Sequence, residues 1–214
     1  MSDNAGIEQR HFLERRLTWV AGGVLMLLSV AAGFAARGTW GGLSPVKDWL
    51  FAAAGILLVV GVGRAGSITS RRLLGSVSTI LLVVAPLTQG YWFSLIPADT
   101  GDLNAEEDAW VLVAAAYFGV LLVLAIVSVI AIVRAGVIPS PWRWAPVWVM
   151  IWIPMTNAIG LALFSAAPLG TPVASFGATL SLSGAAMGVA FLGTLAIALG
   201  IRSAPLTASD EPVR

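Results

Sequence analysis

The chain has no cysteine, one histidine and one lysine, and charged residues make up only 11% of its 214 positions. Without cysteine it can form no disulfide, thiolate metal site or iron–sulfur cluster, and it can do no thiol redox chemistry. His11 alone cannot build a histidine metal site. Lys47 sits at the edge of an apolar segment, which argues against a buried Schiff base. We therefore predict no metal site and no cofactor.

Charge is missing from the whole of residues 144–201, and four earlier stretches are also apolar and uncharged. A bilayer core about 30 Å thick is crossed by roughly 20 apolar residues of α-helix. Pro168 and Pro172 interrupt the long run, so it predicts two crossings and the chain as a whole predicts six. The earlier stretches are residues 17–36, 49–63, 73–98 and 109–133.

The expected fold is all-α, a polytopic integral membrane bundle of six transmembrane helices. A 58% apolar composition and a mean hydropathy of +0.90 agree with this class. Residues 1–16 are expected to form a cytoplasmic N-terminal tail, 17–202 the transmembrane domain and 203–214 a disordered cytoplasmic tail. No connection is long enough to hold a separate soluble domain.

The basic residues are distributed unevenly between the two sides of this arrangement. With the N-terminus in the cytoplasm, the inner side holds ten of the 12 basic residues and the outer side only Arg37 and Lys47. This positive-inside bias predicts that both termini are cytoplasmic. Arginine far outnumbers lysine, and alanine, glycine and valine abound, which indicates a GC-rich bacterial genome. We therefore expect a multi-pass protein of the bacterial plasma membrane.

The even-numbered predicted helices end on similar sequences: Arg64-Ala-Gly after the second, Arg134-Ala-Gly after the fourth and Arg202-Ser-Ala after the sixth. One interpretation is a threefold repeat of helical hairpins around an axis near the membrane normal. The other is that inner loops draw on arginine, glycine and serine for charge bias and turns. The sequence leaves both interpretations open.

Polar side chains inside the predicted spans collect in their outer halves. Gln89 and Asn157 are the most informative, because an unsatisfied amide in hydrocarbon costs several kcal/mol. One hypothesis is a small outward-facing ligand pocket lined by Thr88, Gln89, Tyr117, Thr156 and Asn157. The alternatives are that these side chains cross-link helices, or that they lie at the membrane surface near the headgroups.

Small and aromatic residues form two further patterns. Gly184 and Gly188 make a GxxxG motif in the sixth predicted helix, which favours close helix packing, either inside the bundle or across a dimer. Trp144, Trp148 and Trp152 fall on one stripe of the fifth helix. That stripe suits stacking on a flat apolar ligand, packing, or contact with lipid.

Intramembrane enzymes need ionisable groups that the predicted spans lack. A serine protease needs a histidine base in the bundle, and an aspartyl protease needs two buried aspartates. No glycine-rich phosphate loop and no nucleic-acid-binding pattern is present. We therefore predict a non-enzymatic membrane component (an accessory, scaffold or sensor subunit) that contacts lipid and other membrane proteins and binds no nucleic acid. The alternative is a transporter or receptor for an uncharged or amphipathic small molecule.

Overall fold

The computed structural model describes residues 2–38, 40–61, 73–96, 103–140, 142–168 and 170–202, with the backbone alone for residues 2–11, 41 and 103. Within these ranges the chain is helical and contains no strand. Short 3-10 turns, Gly41–Leu43 and Trp142–Trp144, precede the second and fifth helices. The six α-helices are α1 (Ser2–Arg37), α2 (Ser44–Val60), α3 (Leu73–Phe93), α4 (Leu103–Ala135), α5 (Ala145–Ala166) and α6 (Pro172–Arg202).

Five of these helices, all except α2, are long and apolar enough to span a membrane. The all-α prediction is therefore confirmed, and the helices indicate a membrane protein. α2 has 17 residues, which is about 25 Å of helix and less than a bilayer core. The six-span prediction is thus confirmed only in part, and the threefold hairpin repeat stays a prediction.

Proline and glycine set the boundary inside the long uncharged run. α5 ends at Ala166, and α6 begins at Pro172, since proline suits the first turn of a helix, where no N–H is needed. Between them Gly170 has a φ of 86°, which L-residues with a side chain rarely adopt. The predicted break at Pro168 and Pro172 is confirmed.

The two cytoplasmic tails stay a prediction, and the structure describes the backbone of most of the first one. α1 begins at Ser2, so most of the predicted N-terminal tail, residues 1–16, continues the first membrane helix as helical backbone. The hydrophobic part of α1 that is long enough to span starts at Phe12. The predicted C-terminal tail, residues 203–214, lies outside the described residues.

In space the helices follow the order α5, α6, α1, α2, α3, α4, with each packed on the next. α1 and α2 are at the centre of this row, and α4 and α5 are at its ends. α4 and α5 touch only sparingly, although a short connection joins them in sequence. In the described part of the chain α3 makes no contact with α5, a separation that matters for the predicted pocket.

Glycine allows the central helices to approach closely. A Cβ placed on Gly23 of α1 would lie 2.5 Å from the carbonyl oxygen of Gly193 in α6, and one on Gly55 of α2 would lie 2.5 Å from Val83 of α3. Real Cβ atoms are not found at such distances, so these positions have no room for a side chain. Backbone contact of this kind is a main source of helix association in membranes.

Charged residues lie at two levels along the packed pair α1 and α6. The helices are antiparallel, since Trp19 lies beside Gly200 and Gly23 beside Gly193. Arg16 and Arg37 bracket an uncharged stretch of α1 that is about 30 Å long at 1.5 Å per residue. The Arg37 guanidinium donates a hydrogen bond to the carbonyl of Leu182 on α6. The uncharged stretch of α1 between Arg16 and Arg37 is therefore as long as a bilayer core is thick.

Candidate functional site

The five residues of the predicted outward-facing pocket are not brought together. Thr88 and Gln89 lie on α3 and Tyr117 on α4, whereas Thr156 and Asn157 lie on α5. Because α3 and α5 do not touch in the described residues, the five side chains form two separate groups. Similar depth in the membrane did not translate into proximity. Their role in binding a ligand stays a prediction.

In the α3–α4 group, Tyr117 is the buried member. Its side chain is 4% exposed, and its hydroxyl donates a hydrogen bond of 3.2 Å to the carbonyl oxygen of Ala85. Its ring packs beside Trp92 at 6.0 Å between centroids. Thr88 donates to the same carbonyl at 2.8 Å, and both Thr88 and Gln89 are exposed on the surface of α3. The third interpretation, placement at the surface, fits Gln89.

In the α5–α6 group, the polar atoms bond to protein. The buried Thr156 hydroxyl lies 2.9 Å from the carbonyl oxygen of Trp152 within its own helix. The Asn157 amide nitrogen donates to the carbonyl of Ile153 at 2.9 Å, and the Asn157 Oδ1 accepts a hydrogen bond of 2.9 Å from the Ser181 hydroxyl. Asn157 thus joins α5 to α6, as the cross-linking interpretation expects.

The two glycines singled out for packing face α5. A Cβ on Gly184 would overlap the Thr156 hydroxyl, and one on Gly188 would lie 2.9 Å from Val149. Both glycines are buried. Gly160 and Gly177 bring the backbones of α5 and α6 together in the same way, closer to the connection between the two helices. A Cβ on either glycine would lie 2.6 Å from the carbonyl oxygen of the other.

A shallow apolar groove runs beside this contact. It encloses about 300 Å³ and is lined by Trp148, Val149, Trp152, Met187, Gly188 and Phe191. Trp148 and Trp152 belong to the stripe seen in the sequence, and they are 47% and 36% exposed. Trp144, the third member of the stripe, instead lies near the Arg143 guanidinium, 5.9 Å from the centre of its ring.

A larger cavity, of about 510 Å³, lies at the opposite end from the predicted pocket and contains residues that the sequence analysis did not select. Arg15 and Trp19 of α1 and Arg202 of α6 line it together with the connection between α4 and α5. The sequence predicts that these arginines lie on one side of the membrane, but residues so far apart in sequence give no sign that they share a cavity.

The Arg15 side chain joins two parts of this cavity. Its Nη2 donates a hydrogen bond of 2.9 Å to the carbonyl oxygen of Val137, in the α4–α5 connection. Its guanidinium carbon lies 5.9 Å from the centre of the Trp19 ring, within the range of a cation–π contact. Arg15 therefore holds the start of the α1 span against the far end of α4.

Fold and site together define an all-helical protein whose helices indicate insertion in a membrane. No group of three or more His, Cys, Asp or Glu side chains gathers among the described residues. Comparisons with protein-family models, curated proteins and solved structures find no match to this chain. Its function is therefore argued from its own residues.

Proposed function

We propose that the protein is a non-enzymatic membrane component, an accessory or scaffold subunit that presents the outer face of α4 to a transmembrane helix of another protein. α4 is the most apolar of the five long helices, and little of it is buried within the molecule. One stripe, which includes Ala114, Tyr117, Ser128 and Ile132, holds it to the rest of the chain through α3. The remaining surface of α4 is available to a partner.

The observation that carries this proposal is Gly119, in the middle of α4. A glycine inside a helix costs about 1 kcal/mol relative to alanine, and Gly23, Gly55, Gly184 and their counterparts offset that cost by close packing. A Cβ on Gly119 would meet nothing within 4 Å. Ala115 and Ala116, one turn earlier, are exposed beside it. Small residues on an outer face let a second helix approach.

The polar groups support a non-enzymatic role. Tyr117 and Asn157 tie helices together through their hydrogen bonds with Ala85 and Ser181. The Thr156 hydroxyl is used within its own helix. Catalysis in membranes usually depends on buried ionisable groups, and the apolar spans of this chain lack them. The proposed activity is binding.

The hydrogen bond from Arg15 to Val137 supports six crossings. Both residues lie at the same end of the molecule, and α1, α2, α3 and α4 lie between them in sequence. The chain returns to its starting side only after an even number of crossings, which supports a crossing by α2 despite its length. Lys47, paired with Asp48 at 3.5 Å at the start of α2, can snorkel to accommodate this short span.

The proposed topology has both termini in the cytoplasm, with the protein in the plasma membrane of a bacterial cell; six crossings and the arginine distribution support it. Arg15, Arg134, Arg143 and Arg202 then lie on the inner side, and Arg37 and Lys47 on the outer side. This orientation puts the large arginine-lined cavity at the cytoplasmic surface.

The proposal is tested by native mass spectrometry of particles taken from the native membrane with a copolymer. We expect the wild-type chain of 22.2 kDa to appear bound to a second, different polypeptide. Gly119→Leu should release that polypeptide, because the added side chain blocks close approach. The matched control is Ala31→Leu, which adds bulk to an exposed position of α1 and should leave the complex intact. A wild-type chain found alone, or only as multiples of its own mass, contradicts the proposal.

A second candidate function, binding of an uncharged or amphipathic small molecule, is favoured by the groove that contains Trp148 and Trp152 rather than by the predicted outward pocket. Indole rings give a flat apolar surface for stacking. An organic extract of the purified protein should then contain a compound that is lost when Trp148 and Trp152 are both changed to leucine. A compound retained by the double variant would remove this candidate.

A further inference from the structure

The cavity of about 510 Å³ is built from three segments that are distant in sequence. α1 contributes Arg15 and Trp19, and α6 contributes Leu199 and Arg202. The connection after α4 and the turn before α5 close the remaining side. The lining residues from that connection and turn are Gly136, Val137, Pro139, Ser140 and Trp142. The cavity therefore depends on the tertiary fold. It lies where α1 and α6 meet the segment that follows α4.

The charge of the cavity is positive. Arg15 and Arg202 line it, and none of its described lining residues is acidic. Glu14, the carboxylate nearest to Arg15 in sequence, is not among the lining residues. Two guanidinium groups near each other are stabilised by an anion, and guanidinium matches the geometry of phosphate oxygens particularly well.

Two hydrogen-bond donors in the cavity wall are buried but unused by the protein. Trp19 is 4% exposed, and its Nε1 has no hydrogen-bond partner among the described residues. The Nε of Arg15 is also buried without a hydrogen-bond partner among the described residues, although the Nη2 of the same side chain donates to Val137. Leaving a buried donor unsatisfied costs about 1–3 kcal/mol. An acceptor that reached these two donors from the cavity beside them would recover this cost.

We propose that this cavity binds the phosphate-bearing headgroup of an anionic membrane lipid. Phosphate oxygens accept hydrogen bonds from Arg15, Arg202 and the Trp19 indole at once. Basic pockets between transmembrane helices recognise such headgroups. The site is separate from the outer face of α4, so it does not rest on the proposed subunit role.

The apolar part of the wall indicates a lipid as the source of the phosphate. Leu199, Trp19 and Trp142 lie beside the arginines, at the level where the uncharged stretch of α1 begins. A phosphate held here places its acyl chains directly beside the apolar surface of the helices. Tryptophan is common at this boundary because its ring is apolar and its N–H is polar.

The test is a titration of the purified protein in detergent, followed by native mass spectrometry, with phosphatidylglycerol and with phosphatidylcholine. We expect the wild type to bind phosphatidylglycerol about tenfold more tightly. Arg202→Gln and Trp19→Phe should each reduce that preference, by up to about tenfold. The control is Arg143→Gln, which removes a nearby arginine that does not line the cavity and should change nothing.

Two further measurements keep the outcome clear. Thermal unfolding without added lipid shows whether each variant is folded; Arg15→Gln is avoided because it also removes the bond to Val137. Inorganic phosphate is added as a competitor: weak competition supports a lipid headgroup. Stabilisation of the protein by inorganic phosphate, without any preference for phosphatidylglycerol, overturns the lipid assignment. The proposal is equally wrong if Arg143→Gln weakens binding as much as Arg202→Gln does.

Discussion

At the scale of single residues, Asn157 shows how an amide can lie within an apolar helix. Its nitrogen donates to Ile153 one turn earlier, and its oxygen accepts from Ser181 on α6. Both ends of the amide are therefore satisfied by protein, which avoids a penalty of several kcal/mol. The bond to Ser181 is the one polar cross-link between α5 and α6 that the described side chains make.

Loss of the hydrogen bond between Asn157 and Ser181 should reduce stability, and the effects of changing the two residues should not be additive. We expect Asn157→Ala and Ser181→Ala each to destabilise the protein, and the double variant to cost less than the sum, with a coupling energy of about 0.6–2 kcal/mol. Unfolding in detergent or bicelles, followed as a double-mutant cycle, measures this energy.

Gln89 is the matched control for that cycle, because it is an amide at the predicted outer level but exposed on α3. Gln89→Ala should cost within about 0.5 kcal/mol and show no coupling to Asn157→Ala. A coupling between Gln89 and Asn157 as large as that between Ser181 and Asn157 would mean that α3 and α5 meet after all.

At the scale of helices, the contact between α5 and α6 depends on positions that have no room for a side chain. Gly160, Gly177, Gly184 and Gly188 all face α5 or α6 across this contact. Gly177, Gly184 and Gly188 are spaced by about two turns and one turn, which places them along one stripe of α6. Gly160 of α5 lies opposite Gly177. The Thr156 hydroxyl fills the space above Gly184, so the fit there depends on both residues.

Two glycine-to-alanine changes should therefore have opposite effects. Gly184→Ala should destabilise the protein by about 1–3 kcal/mol, because the new Cβ overlaps Thr156 and forces α5 away from α6. Gly119→Ala in the isolated chain should be neutral or stabilising by up to about 1 kcal/mol, because it adds helix propensity and meets no neighbour. Unfolding of purified variants measures both.

A second substitution, at Thr156, shows whether the effect of Gly184→Ala comes from helix packing or from helix propensity. Thr156→Ala removes the hydroxyl nearest to the new Cβ, so it should recover part of the loss caused by Gly184→Ala. If Gly184→Ala is as harmless as Gly119→Ala, the close contact between α5 and α6 at this level does not exist.

The sequence predicted the helices, but it did not predict which helices pack against each other. Uncharged runs and the Pro168–Pro172 break predicted the approximate position of each helix, because burial in a bilayer removes charge and proline ends helices. α1, α2 and α4 begin before their apolar runs, at Ser2, Ser44 and Leu103. The predicted pocket assumed that equal depth implies contact. Depth follows from counting residues along a helix, but the partner of Asn157 depends on the order of helices around the bundle, which sequence spacing does not give.

At the scale of the whole molecule, the helices form an open row whose ends are joined but barely packed together. α6 is in close backbone contact with α1 on one side and with α5 on the other, and α4 and α5 at the two ends of the row are mostly exposed. The hydrogen bond from Arg15 to Val137 joins α1, in the middle of the row, to the segment that follows α4 at its end. This arrangement gives the flanking helices surfaces for lipid or partners, and it leaves the arginine-lined cavity at the closed end.

The path of the chain across the membrane can be tested with single cysteines, since the natural sequence contains none. Gly38, Ser140 and Pro168 are exposed positions in three connections. If α2 crosses and the N-terminus is cytoplasmic, cysteines at Gly38 and Pro168 should react with a membrane-impermeant maleimide in intact cells. A cysteine at Ser140 should react only after the cells are opened.

The alternative path gives a different pattern. If α2 lies in the membrane without crossing it, the three spans α1, α3 and α4 place Ser140 on the same side as Gly38, and Pro168 on the other. Labelling of Gly38 and Ser140 together from outside would therefore reject six crossings. It would also conflict with the hydrogen bond between Arg15 and Val137, since those residues would then lie on opposite sides of the bilayer. Labelling of Ser140 alone would keep six crossings and reverse the orientation, against the distribution of arginine.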